Sequence, residues 1–99
     1  MRVAVYVRKD STARVVDWCV RQGWSDIDVY EDLGQPGDSD PNTRAGWRGL
    51  SLRLGSYSRL VIAEPAELTR DVATYRAMRA HLDDAQVSLV LAVEAPRCE

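Results

Sequence analysis

Two periods of hydrophobic residues run through the chain. Residues 2 to 7 (RVAVYV) form a β-branched apolar run and read as a strand. Val16, Cys19 and Val20 then fall at helical spacing within 12 to 22, ending at Gly23, where a helix C-terminus is expected. Residues 27 to 31 (IDVYE) alternate as a second strand, and the following DLGQPGDSDPN is dense in turn-forming residues and reads as the longest loop. From Thr43 the pattern is helical again, with Trp47, Leu50 and Leu54 on one face and Asn42 or Thr43 as the expected cap. Residues 59 to 63 (RLVIA) give a third strand. Val72, Tyr75, Met78, Leu82 and Ala85 recur at steps of three and four as a third helix, and 87 to 93 (VSLVLAV) reads as a fourth strand too apolar to face water. This β-α-β-α-β-α-β order needs crossover connections, so the expected fold is α/β: a mainly parallel sheet of four or more strands, helices on both faces, residues 2 to 7 in the middle.

Composition narrows the function. With 99 residues, 45% hydrophobic and 28% charged, the chain is expected to form one domain over a single core. A net charge of -2 offers no global attraction to a polyanion, so DNA binding is expected to be weak or absent and any phosphate site local. Cys19 and Cys98 match no metal-ligand spacing, and Cys19 sits in a helical apolar pattern as a buried thiol. No cofactor or metal is expected. With no signal peptide and no apolar run near the roughly 20 residues of a membrane span, the expectation is a cytoplasmic protein.

The candidate chemistry lies where the first strand meets Arg8, Lys9, Asp10 and Ser11, in VAVYVRKDST. YVRKDST supplies Tyr6 and Arg8, DLGQPGDSDPNTRAGWRGL supplies Asp32, Gly34, Gly37 and Arg44, and AELTRD supplies Leu68 and Arg70. Together with the last apolar strand, these pieces resemble, in order and spacing, the N-terminal catalytic domain of serine recombinases, the resolvase and invertase family. The resemblance runs over nearly the whole chain. It implies a resolvase-like fold and, where the machinery is complete, DNA strand exchange in which a serine oxygen attacks phosphorus while arginines neutralise the growing charge.

That machinery is altered here. The resemblance puts Asp10 at the nucleophile position, and the Asp-Arg pair expected after the third strand is Ala66 and Glu67, a site more negative by two charges. At an effective dielectric near 20, one like-charge pair ~4 Å apart costs about 4 kcal/mol. The family's serine-leucine-glutamine segment, its long dimer helix and its DNA-binding module have no counterpart in the sequence, so no DNA-binding domain is expected. Ser11 becomes the nucleophile if the loop slips by one residue, but Asp10 and Ser11 also have the chemistry of N-caps. Arg8, Arg44 and Arg70 are candidates either to hold an anion or to form ion pairs with Asp10, Asp32 and Glu67.

Other features have plainer readings. GQPG is a turn that could also cradle an anion. His81, near Asp83 and Asp84, reads as an exposed helix face. Trp18 and Trp24 are candidate interface anchors, whereas Trp47 has the pattern of a core residue. The expectation is a catalytically inactive, serine-recombinase-like domain acting through a protein partner or self-association; Trp18, Val15 and the Leu52 region either form its exposed apolar patch or are resurfaced by repacking. The alternatives are a strand-transfer enzyme using Ser11 and a small-anion or nucleotide binder.

Overall fold

The computed structural model describes residues 2–9, 12–37 and 39–92. Strand β1 (Val3–Val7) leads into helix α1 (Thr12–Arg21), strand β2 (Ile27–Glu31), helix α2 (Ala45–Leu52), strand β3 (Arg59–Ile62), helix α3 (Val72–Asp84) and strand β4 (Ser88–Leu91). Short 3-10 turns at Pro41–Thr43, Leu54–Ser56 and Pro65–Glu67 sit between them. The four strands form one parallel sheet in the order β2-β1-β3-β4. All five residues of β1 are buried, because α1 covers one face and α2 with α3 the other. Val3, Val5 and Val7 pack with Val15 and Cys19 of α1, while Ala4 and Tyr6 join Trp47, Leu50, Leu60, Met78 and Leu82. Full burial of a valine side chain is worth about 1.5 kcal/mol or more, so this strand anchors both half-cores.

The α/β reading and the central place of residues 2 to 7 hold, and four local expectations are corrected. The buried stripe of α1 is Val15 and Cys19; Val20 is 57% exposed, since the sheet lies toward the preceding flank of the helix. Strand β4 is a sheet edge, so its residues are only partly covered and Leu91 is exposed, although Val87 just before it is buried. Helix α2 starts after Arg44, which makes no side-chain cap, and neither Asn42 nor Thr43 caps it. Finally, Trp18, Val15 and Leu52 make no shared patch: Val15 is buried under α1, Trp18 packs edge-on against Trp24, and Leu52, 89% exposed, belongs to the other layer.

Gly23 ends α1 as expected, with a left-handed φ of +89°. At the N-terminal end of the sheet, Tyr30 Oη donates to Tyr57 Oη (2.6 Å) and Tyr57 Oη to Asp28 (2.7 Å), which also pairs with Arg2. Burial and these two partners raise the Tyr57 phenol well above its ordinary range. Among the described residues no helix is long and apolar enough to cross a membrane.

Candidate functional site

Strand β1 is followed by β2 on one side and paired with β3 on the other, so the winding reverses between β1 and β3. Loops leaving the C-terminal ends of these two strands diverge, which is where open α/β sheets place their sites. Arg8 leaves β1 at this point, Glu67 ends the turn after β3, and the loop from Asp32 to Arg44 folds over both.

Arg44 is fully buried, and its five N–H groups are all engaged. Nε donates to Ser39 Oγ (2.9 Å), Nη1 to the Leu68 carbonyl and to Tyr6 Oη (3.4 Å), and Nη2 to the carbonyls of Ser39 (3.0 Å) and Pro36 (3.4 Å). Arg8, 5% exposed, donates Nε (3.1 Å) and Nη2 to the Ala66 carbonyl and Nη1 to that of Gln35 (2.9 Å). Glu67, 1% exposed, accepts the backbone N–H groups of Arg8 (2.9 Å) and Lys9 (3.0 Å) on one oxygen. Charge-assisted bonds of this kind let a carboxylate stay buried without a cation.

The sequence could not reveal Tyr6 as a bridge. Its hydroxyl donates to Asp32 Oδ2 (2.7 Å) and accepts from Arg44, while Asp32 accepts the N–H groups of Gly46 (2.7 Å) and Trp47 (2.9 Å). Asp32 therefore caps α2 from across the loop, replacing the local cap that the helix lacks. Burial is the main cause that raises the Tyr6 phenol above its ordinary range, so the hydroxyl stays a donor. The one sequence signal for this role was a phenol amid an otherwise aliphatic buried strand.

Arg8, Glu67 and Arg44 thus converge, as positions, on the end of β1. Their bonds run to backbone groups, and no ion pair of Arg8, Arg44 or Glu67 with a carboxylate or cation occurs among the described residues. Lys9 pairs with Glu64 at 3.1 Å instead. Arg70 is exposed; its backbone N–H donates to the Gly37 carbonyl (2.9 Å), its side chain lies over Gly37, and its guanidinium has no partner among the described residues. The GQPG stretch turns carbonyls of Gln35, Pro36 and Gly37 toward the arginines and Thr69, the reverse of an anion cradle. Asp10 and Ser11 lie outside the described residues. No cluster of three or more metal-ligating side chains occurs among the described residues, His81 included.

Similar architectures are known. The N-terminal catalytic domain of TP901-1 integrase superposes with a TM-score of 0.78 at 17% identity, covering 93% of this chain and 77% of that one. The C-terminal catalytic domain of ISC1926 TnpA, an IS607-like serine recombinase, gives 0.78 at 16% identity over 98% of this chain and 71% of that one. A serine recombinase from Sulfolobus solfataricus gives 0.70 at 21% identity, covering 98% and 71%. This chain has the serine recombinase catalytic-domain fold. No protein-family model and no curated protein matches the sequence. Within the serine recombinase fold, the loops at the C-terminal end of β1 in this chain are held by the bonds of Arg8, Arg44 and Glu67 to backbone groups.

Proposed function

We propose that this serine-recombinase-fold domain does not carry out strand transfer and serves as a protein-interaction or regulatory module. The observation that carries the reading is the saturation of Arg44. A guanidinium stabilises a pentacoordinate phosphate by offering donors that are free to follow the developing charge. Arg44 has none to offer without giving up bonds it already makes: moving it onto a phosphate would take the donor from the buried Leu68 carbonyl and from the part-buried Ser39 carbonyl, while the Pro36 carbonyl keeps Ser39 N and Oγ. Leaving the Leu68 carbonyl buried and unpaired alone costs about 1–3 kcal/mol. Glu67 adds a buried negative charge where the loops after β1 and β3 meet, and Arg8 is committed to Ala66 and Gln35.

The test is covalent capture. Purified protein is incubated with supercoiled plasmid and duplex oligonucleotides and resolved on denaturing gels, with Ser11→Ala alongside; neither nicking nor a protein–DNA adduct is expected. An adduct formed by the natural chain and lost in Ser11→Ala overturns the proposal. It would establish the second reading, a strand-transfer domain using Ser11 with Arg8, Arg44 and Arg70, which draws support from the recombinase and integrase names of the fold neighbours.

A further inference from the structure

Glu67 is 1% exposed, and among the described residues no cation pairs with it. A carboxylate taken out of water in this way is costly unless specific donors hold it. The donors are two successive backbone N–H groups, those of Arg8 (2.9 Å) and Lys9 (3.0 Å), and both are directed at the same oxygen, Oε1. Oε2 has no partner among the described residues. The pair of donors is therefore complementary to one oxygen of an anion, not to a whole carboxylate.

The position of β1 in the sheet explains why these two N–H groups are available. On the β2 side the neighbouring chain uses carbonyls at the end of β1, Asp32 N donating to Val7 O (2.8 Å) and Gly34 N to Arg8 O (3.3 Å). On the other side β3 has already ended at Ile62. Arg8 and Lys9 thus outrun the strands that could accept from them, and Glu67 supplies the acceptor instead. In an extended strand successive N–H groups point to opposite sides. Their convergence on one atom means that the chain has left the strand conformation and closed into a small cup of donors, the backbone arrangement that binds anions.

We infer that the N–H groups of Arg8 and Lys9 form an oxyanion-binding cup whose built-in occupant is Glu67, an internal carboxylate that keeps a small free oxyanion out. The inference deepens the reading proposed above by naming what closes this end of β1. The cup presents donors only, so its ligand must bring an acceptor oxygen, and negative charge strengthens the bond. Glu67 is delivered by the turn Pro65–Glu67, which is held by its own short-range bonds, Glu67 N to Glu64 O and Leu68 N to Pro65 O (both 3.0 Å). Being tethered, it fills the cup without the loss of translational freedom that a free anion meets. A cation stands ready beside the donors. Lys9 supplies one of the two N–H groups, and its ammonium is held only by an exposed pair with Glu64 (3.1 Å), which is weak enough to exchange.

Glu67→Ala, melted in sodium formate and in sodium chloride of equal ionic strength, tests the cup. With a dissociation constant of about 10 mM, formate at about 100 mM should raise the folded-to-unfolded ratio about elevenfold and the melting temperature by about 6–11 °C. The natural chain, its cup filled, should melt alike in the two salts, and Glu67→Gln, which keeps an acceptor oxygen in place, should ignore formate too. Where Glu67→Ala is unfolded in chloride, formate should refold it, read by far-ultraviolet circular dichroism. A second measurement needs no vacated cup. In amide nitrogen–proton correlation spectra the Arg8 and Lys9 protons should both move upfield in Glu67→Gln, because both lose the charged acceptor at once. Glu67→Ala indifferent to formate, a natural chain or Glu67→Gln that gains as much from formate as Glu67→Ala, or Arg8 and Lys9 amide protons that stay in place would each overturn the inference. None of these results bears on the capture experiment, which uses the natural chain and DNA; a covalent DNA adduct overturns the interaction-module reading and leaves the cup to be decided by the formate titration.

Discussion

Replacing Tyr6 by phenylalanine removes one oxygen atom from the buried chain that runs from Arg44 through Tyr6 to Asp32. The ring remains, so its edge-on contact with Trp47 (centroids 5.4 Å apart) is kept and no cavity of side-chain size opens. Asp32 retains Gly46 N and Trp47 N but loses the 2.7 Å phenol bond. Arg44 loses its 3.4 Å contact and keeps its bonds to carbonyls and Ser39. The dominant loss is one hydrogen bond to a buried carboxylate, about 1.5–3 kcal/mol. Taking 2 kcal/mol as the centre, the melting temperature of a domain this size should fall by about 10 °C. Urea denaturation followed by far-ultraviolet circular dichroism measures the change, with Tyr75→Phe as control, because among the described residues the Tyr75 hydroxyl meets only Arg79, at 3.5 Å near the surface. Tyr6→Phe within about 0.5 kcal/mol of the natural chain would refute the claim that the bridge organises the site. An alkaline arm adds a second check. The folded Tyr6 pKa is raised above the unfolded value near 10, so the unfolded chain releases this proton first. Stability from the neutral phenol is therefore complete below about pH 10 and is lost as pH rises above it. Tyr6→Phe should shallow that decline without abolishing it, since Tyr57 is raised in the same direction.

Two further outcomes follow from packing. A Cβ on Gly46 would sit 2.6 Å from the Glu31 carbonyl and 2.8 Å from Asp32 Oδ2, so Gly46→Ala should destabilise the domain by about 1–3 kcal/mol in thermal or urea unfolding. At Gly37 the nearest atoms belong to the exposed Arg70 side chain, which can swing aside, and Gly37→Ala should cost less than Gly46→Ala. Burial raises the Cys19 thiol, so in Cys98→Ser it should resist a thiol reagent at neutral pH until denaturant is added. Rapid labelling of the native protein would show that α1 opens readily from the sheet.

The sequence by itself determined the elements and their order, because the periods of 2 and 3.6 are local properties of a chain with one buried face. Alternating strands and helices then left a parallel sheet with β1 inside as the economical arrangement. It also brought Arg8, Arg44 and Glu67 toward one end of the sheet, through motif order and resemblance. What those groups bind was decided by the tertiary structure alone. A sequence displays side chains, so arginines were matched with Asp10, Asp32 and Glu67; it does not display carbonyl directions, which depend on the backbone dihedrals of the loop from Asp32 to Arg44. Those dihedrals aim Pro36, Ser39 and Gln35 carbonyls inward, and the guanidinium groups satisfy them. The same holds for Asp32, whose use as the cap of α2 requires the loop to return its carboxylate to a helix start 13 residues later. Which flank of α1 is buried was likewise settled by where β2 and β3 lie beneath it, since Val15, Val16, Cys19 and Val20 offer the periodicity two neighbouring faces and only the sheet selects one.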